Sequence, residues 1–430
     1  MVPRMRSAVF GSIACWLVLV ASCESSGGSG PSSSASSGGS DASASSSSGG
    51  GQSTGSSGGG GASGSSSGVA AGTSGTGGTS GGGSTSSSGG TPTSSGDSGG
   101  GDAGAEAGLA LVPTSGTYKN TCDGSGGVYV DGTHFLDFND ETQVIGIYEQ
   151  GASGAPVQQT DVSAAIGLST SDEADLEDAA RVGNRVYVMS SHGRNKNGKL
   201  ETSRYKFFAI DLSGAVPNEG LTVAGAYDDL LQDLLVSSNW ATPNTDVISA
   251  LSAASQLSSG TVASLAPKVD GTNIEGFAAL GHTGTFGIGF RNPPSGGDAI
   301  VVTLLNADAV IGGATAQFGQ AILLNLGGYG IRGMAWSEAH QAVFVLSGPI
   351  DDSDSPFALW TWSGDPSSAP AKVQDLDVPV GAHPEAIVPY PNTKDLQILF
   401  DMGSFQISGD ECKDASISSQ YFSDVVVHVP

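Results

Sequence analysis

The chain has 430 residues and carries 16 Lys and Arg against 42 Asp and Glu, a formal net charge of −26. Such an acidic surplus excludes the broad basic face that a general nucleic-acid or anionic-lipid surface requires. Four cysteines in so long a chain also exclude a dense disulfide scaffold.

The first 23 residues read MVPRMRSAVFGSIACWLVLVASC, with Arg4 and Arg6 ahead of an apolar run of about fifteen residues. A membrane span needs about 20, so the run suits a signal peptide. Val20-Ala21-Ser22-Cys23 resembles the lipobox of bacterial lipoproteins, in which the cysteine is lipidated and becomes the first residue. The expected signal peptide is 1–22, with Cys23 the lipidation site and the bacterial cell envelope the expected location, extracytoplasmic and lipid-anchored. Glu24 does not decide between inner and outer membrane. Residues 23–108 are almost entirely Gly, Ser, Ala and Thr, which lack the apolar side chains that offset the entropy of ordering. A coil of about 85 such residues has a root-mean-square span of roughly 50 Å, so it reads as a tether.

Cleavage before Cys23 leaves 14 Lys and Arg against 42 acids, 14 minus 42 or −28, and removes Cys15. With Cys23 lipidated, Cys122 and Cys412 are the remaining pair, and in an extracytoplasmic protein they most economically form one disulfide. The membrane is then contacted through the anchor alone. No second linker divides the folded part, which is expected to be a monomer.

Residues 109–430 form one block dominated by short β-rich runs separated by Gly, Asn, Asp and Pro. The runs repeat, with unit starts at Gly126, Glu177, Glu275, Arg332 and Glu385, at intervals of 51, 98, 57 and 53 residues. Each unit supplies a strand, a turn, a second strand ending in polar residues, and a third strand. A fourth strand is placed near 156–163, 221–227, 321–326, 371–378 and 425–429. The long interval holds two helical patterns, Tyr227/Leu230/Leu231/Leu234/Leu235 and Val247/Ile248/Leu251/Leu257. The fold class is therefore all-β: a β-propeller of five four-stranded blades, with a small helical insertion at about 228–265. A sixth, degenerate blade is the alternative. Cys122 and Cys412 flank the ends of the circular repeat, where a disulfide would lock the ring.

The motifs DLEDAARVGNRVYVMSSHGRNKNGK, NIEGFA, GFRNP, GIRGMAW, LSGP, HPEAIV and LFDMG, taken together and in this order, resemble an uncharacterised bacterial family catalogued as a domain of unknown function. The resemblance implies a propeller over essentially all of 120–430 and brings no activity with it. A weaker likeness of pattern is to apyrase-type calcium-activated nucleotidases, five-bladed propellers whose axial calcium takes one ligand per blade. The equivalent positions here are Ser125, Glu177, Glu275, Arg332 and Glu385, and arginine at the fourth cannot ligate a cation. Phytase-like propellers share the "EG" phrase at blade starts.

First strands line a propeller channel, so these five residues are expected to meet on the axis. Carboxylates about 6 Å apart repel by roughly 3 kcal/mol per pair at an effective dielectric near 20. Glu177, Glu275 and Glu385 thus call for a cation, proton uptake or Arg332, and calcium at these three is the metal candidate. The same glutamates are the candidate general bases.

The acidic chain also gathers seven of its cations between Arg181 and Lys206. His192, Arg194, Lys196 and Lys199, with Arg291 of the next blade, are the candidate rim for an anionic small molecule. Two function classes follow: a binding or scaffold module using the channel mouth, whose ligand is an anionic small molecule or an envelope partner, or a calcium-dependent hydrolase of phosphate esters or anhydrides.

Overall fold

The structure is a computed structural model that describes residues 111–430 apart from 352, 354 and 355, and only the backbone of 111–115. The signal peptide, the tether and Cys23 lie outside the described residues. The chain opens with β1 (Leu111–Lys119) and continues through β2 (Gly126–Tyr129), β3 (His134–Phe138), β4 (Val144–Glu149) and β5 (Gln158–Asp161). Next come β6 (Leu176–Val182), β7 (Arg185–Ser190), β8 (Phe207–Ser213) and β9 (Gly220–Tyr227). Helices α1 (Leu230–Leu234) and α2 (Thr245–Ser255) follow, then β10 (Asn273–Ala279), β11 (Phe286–Asn292), β12 (Ala299–Leu304), α3 (Ala307–Ile311) and β13 (Phe318–Leu324). The rest is β14 (Gly330–Ser337), β15 (Ala342–Gly348), β16 (Phe357–Trp362), β17 (Ala371–Leu376), β18 (His383–Pro389), β19 (Asp395–Asp401), a small hairpin of β20 (Gln406–Ile407) and β21 (Asp410–Glu411), and β22 (Tyr421–His428).

These strands form five antiparallel four-stranded sheets, ordered β2-β3-β4-β5, β6-β7-β8-β9, β10-β11-β12-β13, β14-β15-β16-β17 and β18-β19-β22-β1. The five first strands are neighbours in a closed ring, β2 beside β6, β6 beside β10, and so on to β18 beside β2. The protein is a five-bladed β-propeller. No sixth blade is present among the described residues, because the 228–265 insertion accounts for the long interval. Apolar side chains alternate between the two faces of each blade and interdigitate with the next, as Phe277 and Phe286 of blade three do against Tyr187 and Phe207 of blade two. In the insertion, Leu230, Leu231 and Leu234 of α1 and Val247 and Leu251 of α2 are buried against that cluster, while Tyr227, Leu235, Ile248 and Leu257 pack at its edge.

The last blade departs from expectation. The run at 425–429 belongs to β22, which pairs with both β19 and β1 and is therefore the third strand, not the fourth. The outermost strand is β1, from the beginning of the domain. Its sequence, LVPTSGTYK, interrupts any alternation with Pro, Ser and Gly, which only an edge strand tolerates. Tyr118 fixes it in place. Its ring packs with Phe135 and Tyr148 of blade one and Phe422 of blade five, and its hydroxyl donates to Asp424 Oδ2 at 2.9 Å while accepting from Gln397 Nε2 and Gly151 N.

Cys122 follows β1 and Cys412 precedes β22, and the two are disulfide-bonded with Cα atoms 5.9 Å apart. The bond spans 290 residues, so in the chain-entropy picture it restricts the unfolded chain by up to about 5 kcal/mol. Replacing both cysteines with serine should lower the unfolding free energy by about 3–5 kcal/mol, read from urea unfolding, with a steeper slope because the unlinked unfolded chain exposes more surface.

Candidate functional site

Each first strand begins near the axis, and four of them carry the same irregularity. Pairing jumps from Leu176 to Asp178 in blade two, from Ile274 to Gly276 in blade three, from Ile331 to Gly333 in blade four and from Pro384 to Ala386 in blade five. The skipped residues are Glu177, Glu275, Arg332 and Glu385. A bulge leaves one residue outside the ladder and re-aims its side chain. Here it turns a charged residue towards the channel while its neighbours keep packing between blades. In blade one the equivalent Ser125 stands just ahead of β2, buried, with no partner for its hydroxyl among the described atoms.

In blades three and four the residue after the bulge is glycine, because the inner strands crowd there. A Cβ at Gly333 would lie 2.2 Å from the Glu385 carbonyl oxygen, and one at Gly276 would lie 2.6 Å from Ile331 Cγ2. The "EG" and "RG" phrases thus have a packing cause. Gly333→Ala should cost about 1–3 kcal/mol of stability, measured by thermal and chemical unfolding.

Arg332 joins the glutamates. Its Nη1 forms an ion pair with Glu275 Oε2 at 2.9 Å, and its Nη2 forms one with Glu385 Oε1. Arg291, from the end of β11, donates through Nη1 to the other Glu275 oxygen at 3.0 Å, and its remaining nitrogens bond the carbonyls of Pro349 and Asp351. Asn273 donates to the same Glu275 oxygen. Burial, together with the Glu275, Asp175 and Asp140 carboxylates, pushes Glu177 well above the ordinary carboxylate range. The two guanidiniums of Arg332 and Arg291 thus match the carboxylates of Glu275 and Glu385. Burial and the Arg291 charge pull Arg332 down to about 10, which still leaves it cationic at neutral pH.

The ends of the second strands reach the same mouth and add further titratable groups. Asp140 follows β3 in blade one, and Asp401 ends β19 in blade five. Burial, Asp140 and Asp401 raise Asp123 well above its usual range. Burial opposes charge on Asp401 too, yet His383, the Gly403 N–H and Asp123 hold its carboxyl below that range. Ligand atoms of His383, Glu385 and Asp401 lie within 4.8 Å of one another, close enough to converge on one ion. Asp178, beside Glu177, was not singled out from sequence. Its Oδ2 accepts the backbone N–H of Phe277 at 2.7 Å and of Met334 at 3.1 Å, so one carboxylate ties blade two to the inner strands of blades three and four.

The five residues expected to form an anion rim are not gathered by the fold. His192 is fully buried, with Nδ1 2.9 Å from the Ser190 carbonyl. Arg194 is buried as well and gives its donors to the carbonyls of Gly198, Ser255, Gln256, Ser259 and Gly260, which closes the end of α2. Lys196 and Lys199 are exposed on the loop, Lys199 bonding Glu201 at 2.9 Å. Arg291 alone reaches the axis. The rest of the cationic segment is also engaged: Arg185 with Asp211 and Asp308, Arg204 with Glu173 and Asp175, Lys206 with Asp228, and Arg181 with the Tyr129 and Val130 carbonyls.

Cavities lie at both ends of the channel. The charged mouth holds one of about 160 Å³, walled by Lys268, Arg291, Arg332, His383, Ser353 and Ser404. The opposite mouth holds one of about 290 Å³ with residues from all five blades, including Tyr129, Phe277, Trp336 and Tyr390. The motifs quoted above fall on two structural positions: starts of first strands (DLED, NIEG, GIRG, HPEA) and ends of second strands (SHGR, GFRNP, LSGP, LFDMG). Of these, GIRG and HPEA reach the charged mouth through Arg332 and His383, and GFRNP and LSGP through Arg291 and Pro349.

No family model matches the chain, and no curated protein matches it either. Among solved structures it is similar to glutaminyl cyclase from Myxococcus xanthus, at 10% identity over 73% of this chain and 95% of that one, with a TM-score of 0.37. Exo-β-1,3-galactanase from Phanerochaete chrysosporium gives 9% identity over 73% of this chain and 63% of that one, with a TM-score of 0.41. The β-propeller domain of Cps50 (Swd1) from Myceliophteria thermophila gives 9% over 75% of this chain and all of that one (100%), with a TM-score of 0.31. At these values the blade topology itself, not the likeness, carries the fold.

Burial lowers His192 to about 4 from an ordinary value of 6.5. Below pH 6.5 the unfolded imidazole binds a proton that the folded one refuses until about pH 4, so stability falls with pH through that window. His192 has φ +50°, a conformation asparagine tolerates. Between pH 7 and pH 4.5 the wild type should therefore lose about 2–3 kcal/mol more than His192→Asn, by urea unfolding at both pH values.

Proposed function

We propose that this propeller is a binding module of the bacterial cell envelope, lipid-anchored through Cys23, whose ligand site is the charged mouth of its channel. The observation that carries this reading is Arg332 bridging Glu275 and Glu385, with Arg291 closing on Glu275, beneath an open cavity. A charge set already balanced within the protein costs little to keep preorganised, and it presents donors rather than a reacting group.

The hydrolase reading needs calcium on Glu177, Glu275 and Glu385, or one of these as a base. The three do not suit calcium as they stand. Both oxygens of Glu275 face guanidinium groups, one oxygen of Glu385 does, and burial disfavours charge on Glu177. A hard cation takes 6–8 oxygen ligands and would have to expel Arg332 and Arg291 first.

The motif-level resemblance to a bacterial family of unknown function belongs to the same reading. So does the net charge, which disfavours nucleic acid as a partner.

Two measurements test the proposal. Millimolar calcium should shift the melting temperature of the purified protein by less than about 1 °C and elicit no phosphate release from nucleotides; a saturable rise of several degrees would favour the hydrolase. Mass spectrometry of native protein should find a lipid-modified Cys23 at the N-terminus, and an unmodified thiol there would remove the anchor.

A further inference from the structure

We infer that the cavity over Arg332 binds a small oxyanion, a carboxylate or phosphate group carried by the ligand, with Arg332, Arg291 and Lys268 as its cationic walls. This rests on the reading of the charged mouth as the ligand site and names the chemistry it would take.

Charge is the first support. Three of the seven polar side chains walling the cavity are Lys or Arg, from separate places in the chain: Lys268 from the segment after the helical insertion, Arg291 from the end of β11 and Arg332 from the bulge in β14. The carboxylate side chain in the same wall is Asp351, whose backbone carbonyl already accepts from Arg291. Ser353 and Ser404 supply hydroxyls, and Pro349 and Phe357 form the apolar part.

The second support is an orphaned donor. Arg332 is 4% exposed, and its Nε has no hydrogen-bond partner among the described atoms, although both terminal nitrogens are engaged. Buried guanidinium N–H groups are rarely left unpaired, and this unsatisfied donor belongs to a side chain that lines the cavity, beside the space an oxyanion would fill. Arg291, also 4% exposed, shares Glu275 with Arg332, so two buried cations face one another across a single carboxylate. An anion set against both relieves that repulsion, which adds to burial in lowering the basicity of Arg332.

Size is the third. About 160 Å³ is well below the roughly 300–1,000 Å³ of sites that enclose a drug-sized molecule, so the cavity fits a terminal group, not a whole ligand.

The test is titration of the full mature chain with inorganic phosphate and, separately, acetate at constant ionic strength in chloride, by calorimetry and thermal shift. One saturable site is expected, and the tighter arm identifies phosphate or carboxylate as the group recognised. Lys268 is exposed, so Lys268→Ala should fold normally and weaken binding about tenfold, while Lys196→Ala, which removes an equal charge elsewhere, should leave it unchanged. Arg332→Met should abolish binding, and Lys268→Ala decides the matter if that variant does not fold. Equal weakening in Lys268→Ala and Lys196→Ala would reduce the effect to general charge and overturn the inference. So would the absence of saturable binding of either anion up to about 10 mM. In that case manganese binding lost in His383→Ala would keep the mouth as a site for a cation instead, whereas no binding of phosphate, acetate or manganese would overturn the site reading as well.

Discussion

Arg332 is almost wholly buried, with little solvent to stabilise its charge, and the inner ring is organised around that fact. An ion buried without a partner costs several kcal/mol, and the same holds for each glutamate that faces it. Placing one guanidinium between Glu275 and Glu385, and a second on Glu275, lets three blades share a common centre. The bulges make this geometry available. Without the skipped residue, strict alternation would send these side chains between blades, into apolar packing. The axis is thus an ion network mounted on four matching backbone irregularities, with Ser125 as the neutral fifth member.

Hydrogen bonding to backbone does similar work elsewhere. Asp178 satisfies amides on two other inner strands, and Arg194 collects carbonyls at the end of α2 and the turn beyond it, holding the helical insertion to the loop after β7. The accumulation of cations between Arg181 and Lys206 therefore has a structural explanation in large part. Arg185 ties blade two to α3 of blade three, Arg204 neutralises Glu173 and Asp175 beside the mouth, and Arg181 caps carbonyls of blade one at the other end.

Much of the fold was legible in the sequence, because the blade is a short repeat with strong strand patterning and one distinctive residue at a fixed place. Glu177, Glu275, Arg332 and Glu385 could be aligned by their position at the start of each repeat, and the cysteine pair by its place at the two ends of the repeat. What escaped was set by distant parts of the chain. Strand β1 has no alternating pattern of its own and is defined by the partner it finds in β22. Asp178 looks like any acid in a strand until the amides of Phe277 and Met334 are placed against it. Arg291 was singled out correctly as a residue of the mouth but for a different set of companions, since charge density along a loop does not say which side chains turn inward. His192 and Arg194 show the reverse case: a cationic cluster in sequence that the fold spends on its own carbonyls.

The closing strand has a mechanical meaning. Because β1 lies at the start of the domain, any load entering through the N-terminal extension falls first on the ladder between β1 and β22 and on the ring of Tyr118. Six paired positions along that ladder, on either side of one irregularity, would have to give before the pull travelled further. Beyond them the chain runs straight into Cys122, where the disulfide passes the force across to Cys412 and thus to the other end of the circle. A tug that peels away the first strand would meet a covalent clasp before it could spread the blades, so the ring can lose its outermost strand under tension and still remain a ring.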